Sequence, residues 1–404
     1  MTAPSTIDLS TLDGTTGFRL VGMATGDAAG RSVASAGDVN GDGFDDMIIG
    51  APGADPNGSQ SGSAYVVFGK AGGFGASLSL GSLDGMNGFR LDGVAAGDTA
   101  GQSVSSAGDV NGDGFDDLMV GAPSAGPNGS ALGTTYVVFG KAGGFGASLD
   151  LGSLDGTTGF RLNGLGAYEQ AGFTVAPAGD VNGDDLDDMM IAAPGSGLAG
   201  YFFGSAYVVF GKADGFTAIL NPTSLNGTNG FRLDGALGFE SLGTSLASAG
   251  DVNGDGFLDF VVGAGTADQT GLYSGSAYVV FGKAGGLDTS LSLGSLDGTN
   301  GFRLDGVAAG DRVGWSVDSA GDVNGDGFDD IIVGARYADP NGSDSSAAYV
   351  VFGADGGFAA NVNVGDLDGT NGFRLEGAAA GDNAGWSVAS AGDLNADGID
   401  DVVV

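Results

Sequence analysis

The nonapeptide "DVNGDGFDD", residues 38–46, combines residue types and a spacing that could bind a cation. Oxygen-bearing side chains stand at its positions 1, 3, 5 and 9, which are Asp38, Asn40, Asp42 and Asp46. Gly43 at position 6 permits a sharp turn that lets these side chains converge, and the main-chain carbonyl of Phe44 can point into the same space. Calcium takes about six to eight such oxygen donors in flexible geometry, whereas magnesium requires a tighter octahedron. The pattern therefore favours Ca²⁺.

Two alternatives compete with this interpretation. An EF-hand would need a glutamate at position 12, where this chain has Ile49, so the aspartate at position 9 must close the site. The second alternative is a solvated acidic turn that binds nothing specifically. Turns need Asp and Gly, but not four oxygen donors at fixed odd spacing in every copy, so this alternative is the weaker one.

The nonapeptide recurs at a constant interval of 71 residues, without net insertion or deletion. Its first residue falls at Asp38, Asp109, Asp180, Asp251, Asp322 and Asp393. A fixed period of this kind is the signature of a repeat protein. The repeat units begin near residues 29, 100, 171, 242, 313 and 384 of a single domain that spans residues 1–404.

Each unit contains four strand-like segments, separated by clusters of Gly, Asn, Asp and Pro. In the first unit they are "RSVAS", "DDMIIGAP", "SAYVVFG" and "GFRLDG", and none has apolar residues at helical spacing. The sequence predicts an all-β fold, a β-propeller of four-stranded antiparallel blades. A linear β-solenoid is disfavoured, because its rungs usually span about 20–30 residues.

The two ends of the chain complete this prediction. The segment 17–22, "GFRLVG", matches a fourth strand, and we expect it to close the last blade. The sixth unit stops before any "AYVVFG" segment. We therefore expect a fragment of a longer chain, whose parent could have seven blades.

Composition removes several classes of function. Fifty acidic and thirteen basic residues give a formal charge of −37, which repels the phosphate backbone of nucleic acid. The absence of histidine removes His-based catalysis and ordinary catalytic zinc sites, and the absence of cysteine removes disulfides and thiolate metal sites. The N-terminus does not match a secretory signal, and no apolar stretch approaches the roughly 20 residues of a membrane span. We expect no direct membrane insertion.

The stretch "AGRSVASAGDVNGDGFDDMIIGAP" resembles the FG-GAP repeat of integrin α-subunit propellers and their bacterial relatives. The resemblance extends over all six units and implies one Ca²⁺ per repeat, held between the first and second strands of each blade. In addition to the first loop, it implies the following ligands, with the main-chain carbonyl named last in each set: Asp109, Asn111, Asp113, Asp117 and Phe115; Asp180, Asn182, Asp184, Asp188 and Leu186; Asp251, Asn253, Asp255, Asp259 and Phe257; Asp322, Asn324, Asp326, Asp330 and Phe328; Asp393, Asn395, Asp397, Asp401 and Ile399.

The chain departs from the family pattern at a few positions. Asp185 replaces the turn glycine of the third loop, which predicts a weakened site, and Ala396 replaces a glycine of the sixth. The phenylalanine of the Phe-Gly pair is replaced by Ala29, Ala100, Ala171, Leu242, Val313 and Ala384, while the following glycine is kept throughout. These replacements bear on blade packing and leave the calcium loop intact.

The loops expected on the opposite face vary most between units and collect aromatic residues. These are Tyr168, Tyr201, Phe202, Phe203, Phe239, Tyr273 and Tyr337. The residue after the retained glycine also varies, as Arg31, Gln102, Phe173, Thr244, Trp315 and Trp386. Such residues could bind a partner, or they could simply pack locally. The repeated arginine of "GFRL" is expected to pair with acidic neighbours.

The leading functional hypothesis is a non-enzymatic, calcium-stabilised adhesion or recognition module, monomeric and located outside the cell or on its surface after bacterial-type export. Its partner would be a protein or a glycan, bound on the face opposite the calcium loops. The alternatives are a glycan-binding lectin and a glycan-active enzyme based on carboxylates. Only Glu169, Glu240 and Glu376 are glutamates, and none stands beside a recognisable acid/base partner in sequence, which disfavours the enzyme.

Overall fold

The strands follow the 71-residue period and are numbered in chain order. The computed structural model describes residues 8–126, 129–197, 203–236 and 240–404. The first strands of the units are β2 (Val33–Gly37), β7 (Ser103–Gly108), β12 (Val175–Gly179), β17 (Ser245–Gly250), β22 (Val313–Gly321) and β27 (Ala389–Gly392). The second strands are β3 (Asp46–Ala51), β8 (Asp117–Ala122), β13 (Asp188–Ala193), β18 (Asp259–Ala264), β23 (Asp330–Ala335) and β28 (Asp401–Val403).

The third and fourth strands lie further out in each sheet. The third strands are β4 (Ser63–Val67), β9 (Thr134–Val138), β14 (Ser205–Val209), β19 (Ser276–Val280) and β24 (Ala347–Val351). Strands in the fourth position are β1 (Arg19–Val21), β6 (Gly88–Asp92), β11 (Gly159–Asn163), β16 (Gly230–Asp234), β21 (Gly301–Asp305) and β26 (Gly372–Glu376). Within a unit, first to fourth strands pair antiparallel in sequence order, as the alternating segments predict.

A fifth strand corrects the prediction of four-stranded blades. These short strands are β5 (Ser77–Ser79), β10 (Ser148–Asp150), β15 (Ile219–Leu220), β20 (Ser290–Ser292) and β25 (Asn361–Asn363). Each belongs to one unit but pairs parallel with the fourth strand that precedes its unit, as Ser148 does with Arg90. Two or three residues between glycine-rich turns give no periodic signal, because alternation needs a longer run.

Short 3-10 helices follow the fifth strands. They comprise Leu80–Ser82, Leu151–Ser153, Pro222–Ser224, Leu293–Ser295 and Val364–Asp366, with a further one at Leu9–Thr11. Their first residue is buried in each of the five units, so they fasten the outer edge of one sheet to the next.

The apolar cores lie between consecutive sheets. One core cluster combines β4 and β6 side chains with those of β8 and β9, and another combines β19 and β21 with β23 and β24. The second and third strands are therefore covered on both faces, and β8, β9, β13 and β14 are buried along their whole length. Burial on both faces explains their nearly continuous apolar sequences.

The first strands of neighbouring units contact one another, from β2 through β7, β12, β17 and β22 to β27. Glycine permits this approach. A Cβ atom on Gly50 would lie 2.0 Å from the carbonyl oxygen of Gly101, and the equivalent clash recurs between Gly121 and Gly172. The retained Gly101 is confined in turn, because a Cβ atom on it would lie 2.3 Å from the carbonyl oxygen of Ser63 in the preceding sheet.

Repeated all-β sheets that stack face to face with their first strands adjacent are consistent with successive propeller blades. In the part of the chain that the structure describes, β1 pairs with β5, and no recorded pairing joins it to β27 or β28. Closure of the last blade by residues 17–22 therefore stays a prediction.

Candidate calcium loops and the opposite face

Each nonapeptide forms the loop between a first and a second strand, as predicted. Left-handed residues shape it: Gly41 has a φ of 74° and Gly43 a φ of 86°. Asp185 and Ala396 adopt the same region, with φ of 67° and 60°, so the two departures from glycine keep the loop path. Aspartate tolerates this region better than most residues, whereas alanine is strained there.

The aspartate at position 1 organises the turn. In the first loop, Asp38 Oδ1 accepts hydrogen bonds from the backbone N–H of Gly41 at 2.8 Å and of Asp42 at 3.0 Å, and Oδ2 accepts one from Gly43 at 2.8 Å. The same pattern recurs at Asp109, Asp180, Asp251 and Asp322, and in part at Asp393. The carboxylate thus holds the backbone of the next five residues in a turn around itself.

The aspartate at position 9 is the most buried of the predicted ligands. Asp46 is 1% exposed, and its two oxygens accept hydrogen bonds from the N–H of Val39 at 3.2 Å and of Gly69 at 2.8 Å. Burial raises its pKa to about 7, with contributions from the charges of Asp42 and Asp38, while the two hydrogen bonds lower it. The same causes raise the pKa to about 8 for Asp117, Asp188 and Asp259 and to about 7 for Asp330.

The asparagine at position 3 lies beside the same carboxylates. Asn111 Nδ2 stands 3.3 Å from Asp117 Oδ2, and in the fourth loop Asn253 Nδ2 donates to Asp255 Oδ2 at 3.1 Å. Position 3 thus contacts position 9 in the second loop and position 5 in the fourth. At position 7 the structure records the N–H of Phe44 donating to Asp42 Oδ1 at 3.0 Å, and the inward orientation of its carbonyl stays a prediction.

The predicted ligands are near one another but are not arranged as a finished cage. Among the described residues, no group of three or more acidic side chains stands close enough to hold a metal ion as placed. The donor chemistry nevertheless fits a hard cation, because every predicted donor is an oxygen and the carboxylates are electrostatically coupled. The ion pairs recorded in the described residues all lie on fourth strands, so none of them neutralises a loop.

The aspartate at position 8 has a role that the sequence did not reveal. The backbone N–H of Asp38 donates to Oδ2 of Asp116, which is position 8 of the following loop, at 2.7 Å. The same bond joins Asp109 to Asp187 at 2.9 Å, Asp251 to Asp329 at 2.8 Å and Asp322 to Asp400 at 3.0 Å. The fourth loop has Leu258 instead, and its side chain packs toward Gly179. The only available signal was the recurrence of Asp at this position.

The residue at position 7 also reaches across to the preceding loop. Phe115 lies over Gly41, where an added Cβ would be 2.3 Å from the ring, and Phe257 and Phe328 lie likewise over Gly183 and Gly254. The backbone N–H of Lys141 donates to the carbonyl of Val39 at 3.0 Å. The first loop is therefore held by the second unit through a carboxylate, a ring and a backbone contact.

On the opposite face, an acidic residue caps the loop between the fourth and first strands. Asp98 accepts a hydrogen bond from the N–H of Ala95 at 2.9 Å, and Glu169 and Glu240 take the equivalent place in the next two units. The longer glutamate also accepts a hydrogen bond from a third-strand tyrosine, Tyr207 for Glu169 and Tyr278 for Glu240. Two of the three glutamates thus have a buried hydroxyl partner that sequence reasoning missed.

The arginines of "GFRL" pair as predicted where an acid is available. Arg90, Arg232 and Arg303 contact the aspartate two residues later on the same strand, and Arg374 contacts Glu376. These two positions point to the same side of a strand, which explains the pairing. In the second unit Asn163 replaces that aspartate, and Arg161 Nε is buried without a hydrogen-bond partner in the described residues.

Aromatic residues on the same face form a group with two arginines, named here the Trp315 cluster: Tyr273, Arg312, Trp315, Arg336, Tyr337 and Trp386. The guanidinium of Arg336 lies 3.9 Å from the ring centroid of Trp315 and 3.7 Å from that of Trp386. Arg312 lies over Tyr273, Trp315 and Tyr337 at 5.3–5.5 Å. Of the other predicted aromatics, Tyr168 is 64% exposed, while Tyr201, Phe202 and Phe239 lie outside the described residues.

Comparison with known proteins identifies the repeat. The FG-GAP repeat model matches residues 29–67, 100–138, 242–280 and 313–351. Phosphatidylinositol-glycan-specific phospholipase D of Dictyostelium discoideum is 29% identical over 73% of this chain and 31% of its own length. Integrin alpha-V of Gallus gallus is 30% identical over 60% of this chain and 21% of its own, and human integrin alpha-IIb is 31% identical over 46% and 16%.

The chain spans about a third or less of the length of these relatives. No helix in the described residues is long and apolar enough to cross a membrane. Four matched units, the 71-residue period and the integrin matches agree with one another. The chain carries FG-GAP repeats and is homologous to integrin α subunits and to phosphatidylinositol-glycan-specific phospholipase D.

Proposed function

We propose that the chain forms a calcium-stabilised β-propeller that serves as a non-enzymatic adhesion or recognition module outside the cell. The observation that carries the proposal is the ninth-position carboxylate. It is buried in the first five loops and repelled by the carboxylates at positions 1 and 5, and the ion pairs of the described residues leave it without a basic partner. A carboxylate in that setting is costly unless a cation joins it.

In each loop the ion would be held by the side chains at positions 1, 3, 5 and 9 and by the carbonyl at position 7. When bound, the ion would supply a positive charge that links the two ends of the turn. The chain itself supplies the rest: Asp38 orders the turn through its three N–H bonds, and Asp116 holds the start of the loop from the next unit. Calcium binding therefore couples to the packing of neighbouring blades.

Homology to integrin α subunits supports a recognition role and a location outside the cell. Calcium is abundant there, and extracellular modules bind it with dissociation constants of about 10⁻⁴–10⁻³ M. The ligand-binding face would be the one opposite the calcium loops, where the units differ most. We expect a monomer.

A catalytic role for Glu169 and Tyr207 is less well supported. They line a cavity of about 480 Å³ together with Arg232 and Asp234. The same glutamate–tyrosine contact recurs at Glu240 and Tyr278, and aspartates cap the corresponding loops elsewhere. Recurrence at equivalent positions favours a structural role over a single active site.

The proposal is tested by thermal unfolding of the chain in calcium, in magnesium and in EDTA, with the number of bound calcium ions measured by equilibrium dialysis. We expect calcium to raise the melting temperature, magnesium to do so less, and about one ion to bind per repeat. A site with calcium at a hundred times its dissociation constant adds about 2.7 kcal/mol of stability. Melting curves that superimpose in calcium and EDTA would refute the proposal.

A further inference from the structure

A depression of about 520 Å³ opens beside the Trp315 cluster, around the starts of the first strands. Three aromatic rings line it, those of Tyr168, Phe173 and Trp315, together with hydrogen-bonding side chains that include Gln170 and Thr244. Arg312 is the one charged residue among the described residues of its wall. The chain has 50 acidic residues, yet none of them is among the described residues of this wall.

The basic residues of the chain are otherwise committed to repeated positions. Ten of the thirteen are the "GFRL" arginines and the lysines after "YVVFG", which leaves Arg31, Arg312 and Arg336. Two of these three meet in the Trp315 cluster, and neither takes part in an ion pair recorded in the described residues. The cluster therefore holds two of these three arginines, with Asp268, which accepts a hydrogen bond from the N–H of Tyr273, and Asp311 as acidic neighbours.

Arg336 lies behind Trp315, outside the wall of the depression, and adds a second guanidinium beside it. It is 7% exposed, its Nη2 donates to the hydroxyl of Tyr337 at 2.6 Å, and its Nε is buried with no hydrogen-bond partner in the described residues. The rings of Trp315 and Trp386 both lie against its guanidinium. A buried guanidinium with no acid is unfavourable, and an anion nearby offsets that cost.

The backbone fixes the position of Arg312. Its φ is 56°, in the left-handed region that the equivalent residue adopts in every unit, and its N–H donates to the carbonyl of Tyr273 at 3.1 Å. Arg312 therefore projects from an ordered loop rather than from a free one. Preorganised donors of this kind bind a planar carboxylate with two parallel hydrogen bonds.

We propose that this depression binds a sugar residue that carries a carboxylate, of the hexuronate class, with Arg312 contacting the carboxylate and the rings contacting the apolar face of the sugar. The inference rests on the proposed function, because it places the ligand on the face opposite the calcium loops. Exposed rings beside hydroxyl and amide groups suit a pyranose better than an acidic peptide, which has no flat apolar body. The charge of −37 opposes a polyanion, so the acidic residue is isolated or terminal.

The test is titration calorimetry of the calcium-loaded chain with a glucuronate-terminated disaccharide and with the same disaccharide whose carboxyl group has been reduced. We expect the acidic sugar to bind at least about tenfold more tightly, since a charge-assisted bidentate contact is worth that much. Arg312→Gln should abolish the preference between the two sugars. Trp315→Ala should weaken both, and Arg19→Gln, at an exposed arginine of β1, should change neither.

Three outcomes would overturn the inference. They are equal affinity for the two sugars, binding of neither, and tighter binding of a glutamate-containing peptide, which would assign the site to a protein. The effect of calcium on stability is measured separately, by thermal unfolding. A chain that calcium stabilises but that ignores both sugars refutes this inference alone, and a chain that calcium leaves unchanged refutes the proposed function.

Discussion

The backbone N–H of Asp38 donates a 2.7 Å hydrogen bond to the carboxylate of Asp116, 78 residues away in sequence. The contact joins the first residue of one candidate calcium loop to the eighth residue of the next. It recurs at three further junctions and is missing where Leu258 stands, so most neighbouring loops are linked rather than independent. The stability of one loop should depend on its successor.

Asp116→Ala tests this dependence. The substitution removes the acceptor for the Asp38 N–H and should lower the free energy of unfolding by about 1–2 kcal/mol, the usual cost of leaving a partly buried donor unpaired. Asp45→Ala is the matched control, since Asp45 holds the same position in the first loop and is exposed. The measurement is denaturant unfolding at saturating calcium. Equal effects of the two substitutions would contradict the proposed coupling.

Two glycines of the same loop should differ in their tolerance of alanine. Both are left-handed, so Gly43→Ala should cost about 1–2 kcal/mol from backbone strain alone. Gly41→Ala should cost more, because its Cβ would meet the ring of Phe115 at 2.3 Å, while Gly43 has nothing within 4 Å. Thermal unfolding of both variants provides the comparison. A larger effect at Gly43 would show that Phe115 does not pack there.

Asp117→Asn separates the metal role of the ninth position from its structural role. The substituted side chain carries no charge, so we expect the calcium-induced rise in melting temperature to shrink and the bound calcium to fall by one ion per chain. The metal-free protein should lose less, because burial raises the pKa of Asp117 to about 8, so that at pH 7 the amide replaces a largely uncharged carboxyl group. Equilibrium dialysis and melting curves with and without calcium measure both effects. Unchanged stoichiometry would remove Asp117 from the ligand set.

The metal-free protein should become less stable as the pH rises from 5 to 8.5. Folding raises the pKa of the five buried ninth-position carboxyls to about 7–8, above the unfolded value of about 3.9, so the folded state binds more protons in this window. Their stabilising contribution is complete below pH 4 and is lost as the pH rises through 7–8. Exposed carboxyls such as Asp155, whose pKa hydrogen bonds from Thr157 lower to about 2, change only below this range.

Calcium should reverse that trend, because the ion binds the deprotonated carboxylates. Melting temperatures measured across the same pH range in EDTA and in calcium should therefore diverge as the pH increases. Parallel curves would show that the ninth-position carboxylates do not bind the ion.

The sequence predicted the strands, their period and the position of each acidic loop, because these depend on residues close together in the chain. Asp38 and the glycines after it dictate a turn locally, wherever the unit packs. The fifth strands escaped prediction since their pairing partner belongs to the preceding sheet, as Ser148 pairs with Arg90. The same reason hid the bond of Asp116.

On the opposite face, the contacts between units were harder still to predict from the sequence. The sequence alone shows that Arg336 stands where the repeat has proline. Its position between Trp315 and Trp386 depends on two neighbouring units at once. A local pattern cannot encode such a contact, because the residues approach only after the first strands have assembled.

The bond from Asp38 to Asp116 also has a consequence for biosynthesis. A nascent chain emerges from the ribosome in order, so the first loop cannot be completed until the second nonapeptide has followed it out. Each newly made unit that carries this aspartate would therefore supply a hydrogen bond to the loop before it. Leu258 interrupts the series, so the third loop does not receive this carboxylate bond from the unit that follows it.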